Sequence, residues 1–320
     1  MKKILFFLMG GIILMSGSCA SETKSAKKKV VKPVKPVPVV VETKIEHDKI
    51  AGIFTFPGGK LKALVMSFDD GPDQDKRLIE MFDKYGIKGT FHLNSGKFAA
   101  KSKTSLDLLK TVYAGHEVSA HSVSHPHLEF LPASKVSNEI LDDRKQLEAV
   151  FGYPIHGMSY PFGTYNQMVL DMLPSLGIKY SRTVTMDTSF HLPKNLLVWN
   201  PTCHSGSGEY WAKKFIETKR DEMMLLFIWG HAWEFDNAAT DAAKEKNWAV
   251  IDNICVLLAK ETDIWPATAM EVADYITAAQ DVVTKSPDGM LVNSSEITLW
   301  VKSKDKGVKL KPGQKLAIPK

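Results

Sequence analysis

Two adjacent acidic residues and two closely spaced histidines are the side chains best suited to chemistry in this 320-residue sequence. Asp69 and Asp70 directly follow the apolar run ALVMSF, and His121 and His125 stand four positions apart in HSVSH. Two histidines at this spacing, on one face of a helical turn, form half of a divalent-metal site. A carboxylate from a distant strand end would complete a three-ligand site of the catalytic type. The sequence therefore predicts a metal centre, with histidines that only pack or face solvent as the alternative.

The two aspartates are expected to have different roles. Adjacent residues of an extended chain point in opposite directions, so the two carboxylates cannot serve one purpose symmetrically. One can bind the metal while the other acts as a general base toward a water molecule. For the four residues DDGP taken alone, an acidic turn is the alternative interpretation.

A third histidine, His231, follows the strongly apolar segment MMLLFIWG. At the end of a buried strand and close to a metal, it would act as a general acid and protonate the leaving group. A structural histidine is the alternative. The sequence has no G-x-S-x-G motif, which disfavours a serine hydrolase.

Alternating strand and helix patterns must position these residues. Strands are predicted at 62–68, 87–93, 116–120, 155–160, 178–184 and 223–229, and helical periodicity fills most of the segments between them. Ser134 is a candidate N-cap of one helix, and Thr268 with Glu271 forms a capping-box pattern in another. This alternation predicts an α/β fold with a parallel sheet and outer helices, either a barrel or a doubly wound sheet. In both, the active site lies at the carboxyl ends of the strands.

Four segments together resemble the motif series of the polysaccharide deacetylases, carbohydrate esterase family four with NodB-type homology. They are SFDDGP, HSVSH, YPFG and the strand that ends at His231, in the family's order and spacing across roughly residues 60–280. The resemblance implies a distorted (β/α)7 barrel. It also implies a divalent metal, usually zinc, with cobalt or nickel sometimes preferred.

The resemblance also implies a role for each matched residue. Asp69 would be the catalytic base, His231 the general acid, and the backbone amide of Tyr160 would stabilise the oxyanion beside the metal. The metal ligands would be Asp70, His121 and His125.

Two departures from the family pattern concern the residues that support catalysis. The family has an arginine bracing the base where this chain has Ser159. Arg182 at the next strand end is the candidate substitute, and a structural arginine is the alternative. The aspartate that orients the acid histidine is only faintly matched, with Asp187 as the nearest candidate.

The substrate side of the site is expected to include polar and aromatic residues near the same strand ends. Aromatic rings there would stack on sugar faces, although tryptophan is more often a core residue. The candidate substrate-binding residues are Pro161, Phe162, His204 and Trp233.

The ends of the chain predict export and tethering. Residues 1–19 have a basic start, an apolar stretch and small residues before Cys19, as in a secretory signal. MSGSCA resembles a bacterial lipobox, with Ser16 at the usual aliphatic position, so we expect a lipid anchor at Cys19; cleavage near Ala20 is the alternative. Residues 20–48 predict an extended tether rich in Lys, Pro and Val. Residues 49–285 would form the catalytic domain and residues 286–320 a small β appendage.

The net charge of +5 gives little support for a nucleic-acid partner. Residues 1–41 contribute +7 and residues 285–320 contribute +5, which leaves −7 for the acidic body between them. Cys203 and Cys255 do not make a disulfide framework, although one bridge is possible. Cys255 lies at helical apolar spacing and is predicted to be a core residue.

These features favour a metal-dependent hydrolase that removes acetyl groups from an N-acetylated glycan, such as a GlcNAc-containing polysaccharide or peptidoglycan. The protein would be secreted to the cell envelope and would meet a bacterial membrane only through its N-terminal lipid anchor. An O-acetyl esterase acting on xylan-like polysaccharide is one alternative. A glycan-binding surface lipoprotein with weakened catalysis is another. An amide hydrolase for small heterocycles is disfavoured by the signal and tether.

Overall fold

The computed structural model describes residues 42–98, 102–285, 289–303 and 307–317. The predicted signal and residues 20–41 of the predicted tether lie outside the described residues. The strands are β1 (Glu42–Lys44), β2 (Phe54–Thr55), β3 (Lys62–Asp69), β4 (Gly89–Leu93), β5 (Glu117–Ala120), β6 (Gly157–Ser159), β7 (Tyr180–Arg182), β8 (Cys203–His204), β9 (Met224–Gly230), β10 (Ile264–Pro266), β11 (Val283–Lys285), β12 (Met290–Val292), β13 (Leu299–Val301), β14 (Val308–Leu310) and β15 (Lys315–Ala317). The α-helices are α1 (His47–Ile53), α2 (Asp75–Tyr85), α3 (Lys103–Val112), α4 (Ala133–Phe151), α5 (Gln167–Met172), α6 (Gly208–Glu217), α7 (Asp241–Ala259) and α8 (Ala269–Gln280).

Strands β3 to β10 form one parallel sheet that positions the site. Seven of them pair in the order β7-β6-β5-β4-β3-β9-β8, and β10 pairs with the start of β3. An α-helix connects each pair of successive strands except β7 and β8, which are joined by a long loop with one short 3₁₀ segment. This curled sheet confirms the predicted α/β fold of the distorted (β/α)7 barrel type.

The burial of β3 explains how its last residue comes to face inward. All eight residues of β3 are buried, as expected for a parallel strand covered on both faces. Leu64, Met66 and Phe68 pack in the core that contains the outer helices. Ala63 and Val65 alternate with them and pack in a second core with α8. Because side chains alternate along a strand, Asp69 lies on the same face as Ala63 and Val65, which is the inner face of the barrel.

Two helix starts test the predicted caps. The capping box of α8 is confirmed, because Thr268 and Glu271 each bind the other's backbone N–H. The prediction of Ser134 as an N-cap is wrong. Pro132 occupies that position, and its carbonyl accepts from the N–H groups of Lys135 and Val136, which places Ser134 inside α4.

The C-terminal strands β12 to β15 share two antiparallel sheets with β1 and β2, which precede the barrel strands. One antiparallel sheet has the order β1-β11-β12-β15, and another has the order β14-β13-β2. The predicted β appendage at 286–320 therefore pairs with residues that precede the barrel as well as with β11. The division into a catalytic domain and an appendage stays a prediction.

The two cysteines downstream of Cys19 are free and buried. Cys255 packs in the main hydrophobic core from α7, which confirms its predicted core position. Within the described ranges, none of the helices combines the length and apolar character needed to cross a membrane.

Candidate active site

The carboxyl ends of neighbouring parallel strands bring the predicted polar residues to one edge of the sheet. Asp69 ends β3, and Arg182 ends β7. His121 directly follows β5, Tyr160 directly follows β6, and His231 directly follows β9. Since adjacent parallel strands end at the same edge, their terminal side chains converge.

Three of these side chains have the arrangement of a divalent-metal site. The ligand atoms of Asp70, His121 and His125 all lie within 4.8 Å of one another. Oδ1 of Asp70 is 3.9 Å from Nε2 of each histidine, which leaves space for an ion. Nδ1 of His121 lies 2.9 Å from the carbonyl oxygen of Ser159, so Nδ1 has the proton. Nε2 of His121 is buried without a hydrogen-bond partner among the described residues, and its lone pair is free to bind a metal.

The HSVSH segment is not a helical turn, so that part of the prediction is wrong. Ser122 and His125 have positive φ angles of 66° and 57°, which interrupt a helical repeat. The amide of Asn94 donates to the carbonyl oxygens of His121 and Ser122 at 2.6 and 3.0 Å and holds this loop. The two imidazole rings still meet, with centroids 4.7 Å apart.

Asp70 also departs from the expected geometry. Its φ angle is 78°, so the chain is no longer extended where the two aspartates were expected to point apart. Oδ2 of Asp69 and Oδ1 of Asp70 each lie 3.9 Å from Nε2 of His121. Both carboxylates therefore face the same site. The turn continues through Gly71, where a Cβ would come within 2.8 Å of Leu93.

Two buried donors hold Asp69. The Arg182 guanidinium forms an ion pair with Oδ2 of Asp69, and the Ser159 hydroxyl donates to Oδ1 at 3.1 Å. Burial alone would raise the pKa of Asp69, but Arg182 and His121 hold that pKa well below its ordinary value. Asp69 is therefore an ionised carboxylate, fixed on both oxygens.

His231 faces the site with one ring nitrogen and an acidic residue with the other. Its Nε2 is 3.9 Å from Oδ2 of Asp70, and its Nδ1 is 2.8 Å from Oε1 of Glu234. Burial alone would lower the pKa of His231, but the hydrogen bond to Glu234 and the nearby Asp69 raise it above its ordinary value. His231 can thus hold a proton next to the metal ligands.

The carboxylate beside His231 was missed by the sequence analysis. Asp187, the nearest candidate, instead accepts a hydrogen bond from the backbone N–H of Ser189. Glu234 lies three residues after His231 in a short 3₁₀ segment, Ala232–Asp236. The His-x-x-Glu spacing was the signal that could have revealed it, since residues three apart in a helical turn are neighbours.

His204 contacts Glu234 from the other side. Its Nε2 is 2.9 Å from Oε2 of Glu234, and its Nδ1 accepts from the N–H of Gly206 at 3.2 Å. Burial alone would raise the pKa of Glu234, but hydrogen bonds from His204 and His231 lower it to about 2. Both ring nitrogens of His204 are thus bonded within the protein, although it was predicted to bind substrate.

The predicted oxyanion donor is wrong. The backbone N–H of Tyr160 donates to the carbonyl oxygen of Arg182 at 3.0 Å, as part of the pairing of β6 with β7. Among the described residues, the N–H of Phe162 has no acceptor. Phe162 has a positive φ of 59°, a strained conformation typical of functional sites. Pro161 is buried, and its contact with substrate stays a prediction.

Aromatic rings border the site on two sides. Trp233 is 40% exposed and donates from Nε1 to Oδ2 of Asp70 at 3.1 Å. On the other side, Phe162 meets the ring of His125 edge-on, with centroids 4.5 Å apart. Phe162 stacks on His127 at 3.9 Å, and Phe130, 80% exposed, lies next to His127. We call Phe162, His127 and Phe130 the aromatic strip.

Comparisons with known proteins match part of this chain to one family. Residues 58–181 match the family model described as polysaccharide deacetylase. A probable peptidoglycan-N-acetylglucosamine deacetylase of Arthroderma benhamiae is 28% identical over 115 residues, which cover 35% of this chain and 26% of that protein. The peptidoglycan-N-acetylglucosamine deacetylase of Listeria monocytogenes is 28% identical over 113 residues, 34% of this chain and 23% of its own length. The chain thus aligns with about a quarter of each relative.

A solved structure extends the likeness of the fold beyond the matched segment. The crystal structure of a putative polysaccharide deacetylase from Mycobacterium smegmatis has a TM-score of 0.53 and 16% identity. The superposition covers 71% of this chain and 94% of that one.

Proposed function

The chain contains a polysaccharide deacetylase domain of the NodB type, carbohydrate esterase family four, and from this premise we propose that it hydrolyses acetyl groups from an N-acetylated glycan. The observation that supports this most directly is the convergence of a metal-ligand set, an ionised buried carboxylate and a proton-bearing histidine. These are Asp70 with its two histidines, Asp69 and His231. Metal-assisted hydrolysis of an amide uses all three functions.

Asp70, His121 and His125 would hold a divalent cation. Two imidazoles and one carboxylate are a donor set that suits zinc. Nε2 of His121, which has no hydrogen-bond partner among the described residues, points toward Asp70. When bound, the cation would supply Lewis-acid polarisation of the acetyl carbonyl and would lower the pKa of the attacking water.

The remaining residues would perform the proton transfers. Asp69 would accept a proton as the water oxygen bonds to the carbonyl carbon. The N–H of Phe162, in place of that of Tyr160, would donate to the carbonyl oxygen as its negative charge develops. As the carbon–nitrogen bond breaks, His231 would give a proton to the departing amine. Acetate and a glucosamine unit would leave.

The aromatic groups favour a glycan as the substrate. Trp233 and Phe162 flank the metal ligands, and the aromatic strip extends outward to the strongly exposed Phe130. Exposed rings of this kind stack on the apolar faces of sugars. We therefore propose that Trp233 and Phe162 hold the acetylated sugar, and that the strip meets neighbouring sugars of the same strand.

The alternatives use the same site. An O-acetyl esterase would need no different residues, only a sugar-alkoxide leaving group instead of an amine. A glycan-binding protein with weakened catalysis was suggested by Ser159, yet the structure has Arg182 and Ser159 together on Asp69. This arrangement favours a working base.

The proposed location is the cell envelope. The signal and lipobox lie outside the described residues, so a lipid anchor in a bacterial membrane remains a proposal from the sequence. The two relatives named above are peptidoglycan deacetylases by name, which supports an envelope glycan as the substrate.

Metal content and acetate release test the proposal together. The protein is loaded with zinc, cobalt or nickel and offered chitooligosaccharides, peptidoglycan and acetylated xylan. We expect about one metal per chain, and acetate release from an N-acetylated glycan that a chelator abolishes. Asp69→Asn should still bind the metal. Its rate of acetate release should fall by about 10²-fold or more, as expected for removal of a general base. Wild-type turnover in that variant would overturn the mechanism, and release from xylan alone would favour the esterase.

A further inference from the structure

Glu234 lies between two imidazoles behind the proposed general acid. Its Oε1 is 2.8 Å from Nδ1 of His231, and its Oε2 is 2.9 Å from Nε2 of His204. His231 and Glu234 follow the end of β9, and His204 belongs to β8, the edge strand beside β9. A carboxylate so placed can fix the orientation and proton position of both rings.

The backbone determines which nitrogen of His204 has the proton. The N–H of Gly206 donates to Nδ1 of His204 at 3.2 Å, so Nδ1 must be unprotonated. The proton of His204 is therefore on Nε2, where it is donated to Glu234. Nε2 of His204 lies 2.9 Å from Oε2 and 3.2 Å from Oε1, so this contact restrains the carboxylate. Oε1 also accepts from Nδ1 of His231, at the shorter distance of 2.8 Å.

The consequence for His231 is a fixed tautomer. With Nδ1–H donated to Glu234, the only nitrogen of His231 that can gain or lose a proton is Nε2. Nε2 is also the nitrogen that faces the metal-ligand carboxylate of Asp70, at 3.9 Å. The transferable proton is thus placed on the reacting side of the ring.

A second cation site is the other interpretation of these three residues, since their ligand atoms lie close together. Two ligands of one tetrahedral zinc, each at about 2.0–2.1 Å from it, are separated by roughly 3.3 Å. The nitrogen–oxygen distances of 2.8 and 2.9 Å are shorter than that and are typical of charge-assisted hydrogen bonds. The distances favour hydrogen bonding.

We propose that Glu234, restrained by His204, is the positioning residue for His231. This inference rests on the proposed deacetylase function. It assigns the role of orienting the acid histidine to Glu234, three positions after His231. Asp187 was the earlier candidate for that role. His204 then acts through Glu234 and not on the substrate.

The dependence of the hydrolysis rate on the leaving group distinguishes a positioning role of Glu234 from a general structural role. Amide hydrolysis needs a proton on the departing amine, whereas an aryl acetate expels a stable phenolate without one. In the metal-loaded protein, Glu234→Gln should lower kcat on N-acetylated chitooligosaccharides about 10- to 100-fold, with KM unchanged. Hydrolysis of 4-nitrophenyl acetate should change less than threefold. Glu209→Gln on α6, whose exposed carboxylate pairs with Lys213, is the matched control and should alter neither rate.

The restraint by His204 has its own test. His204→Ala should lower kcat on the amide less than Glu234→Gln does. Combining the two substitutions should lower it no further than Glu234→Gln alone, since both act through one contact. Full additivity of the two losses would overturn the role of His204.

A spectroscopic measurement tests the positioning without turnover. At a pH where both rings are neutral, nitrogen-15 NMR should show His231 with its proton on Nδ1 and His204 with its proton on Nε2. Glu234→Gln should weaken the preference of His231 for the tautomer that has its proton on Nδ1. A wild-type His231 protonated on Nε2 alone, equal losses on amide and aryl acetate, or a second metal per chain lost in Glu234→Gln would each overturn the proposal. If no glycan releases acetate but the NMR pattern holds, the proposed function fails while the hydrogen-bonded arrangement stands.

Discussion

Asp69 shows how one residue can be both buried and ionised. Its two oxygens have separate partners, the Arg182 guanidinium and the Ser159 hydroxyl, and Arg182 itself is fully buried. A buried ion pair contributes little net stability compared with apolar residues, but removal of one partner leaves the other charge without compensation. Arg182 is therefore expected to matter for folding as well as for catalysis.

Arg182→Gln should lower the free energy of unfolding by about 3–5 kcal/mol, because Asp69 would be left charged and buried. Urea denaturation measures this change. Arg220→Gln is the matched control, since its side chain is about one-third exposed and donates to the Ser189 carbonyl. It should change stability by less than about 1 kcal/mol.

Adding Asp69→Asn to Arg182→Gln should recover part of the lost stability, because the uncompensated charge is then gone. If Arg182→Gln lowered the free energy of unfolding as little as Arg220→Gln does, the ion pair would not hold Asp69 in solution.

At the scale of elements, the ligand loop after β5 is held by its neighbours instead of by helical structure. Asn94, just beyond β4, binds the carbonyl oxygens of His121 and Ser122. The buried Asp143 of α4 accepts from the backbone N–H groups of Ser95 and His121 at 2.7 and 2.9 Å. The loop geometry thus depends on side chains from two other elements.

Asn94→Ala should weaken metal binding about 10- to 100-fold, because residues that orient ligands contribute that much to affinity. Titration against a chromogenic chelator measures it. Asn166→Ala removes another structural asparagine, the N-cap of α5, and should cost about 1 kcal/mol of stability without changing metal affinity. Equal metal affinity in the two variants would contradict the role of Asn94.

The same loop shows where sequence reasoning reached its limit. Strand ends and their polar residues were predictable, because apolar runs and parallel topology determine where Asp69, His121 and His231 emerge. Positive φ angles at Ser122 and His125 were not, since no glycine marks them. The pairing of the Tyr160 amide with Arg182 was equally hidden, because residue types do not reveal how backbone N–H groups are used.

At the scale of the molecule, the C-terminal strands are part of the packed structure. Leu291, Leu299, Val301 and Leu310 are all buried in the core that also contains Ala63 and Val65 of β3. Strands β12, β13 and β14 thus help to cover the inner side of the barrel sheet, whatever further function they have.

Leu310→Ala should lower the free energy of unfolding by about 2–5 kcal/mol, as for other fully buried leucines. Val308→Ala on the same strand is the control, because Val308 is 38% exposed, and it should cost less than about 0.5 kcal/mol. Denaturation curves for the two variants give the comparison. Similar midpoints would show that β14 does not pack on the domain in solution.

The pairing of the first described strand with the last part of the chain affects the order of folding. Glu42 of β1 pairs with Lys285 of β11, and Phe54 of β2 pairs with Val301 of β13. Contacts between such distant positions form slowly, because a long loop must close first. During synthesis, β1 is made long before β11, and β2 long before β13. These two strand pairs can therefore form only after the whole parallel sheet between them in the sequence has been synthesised.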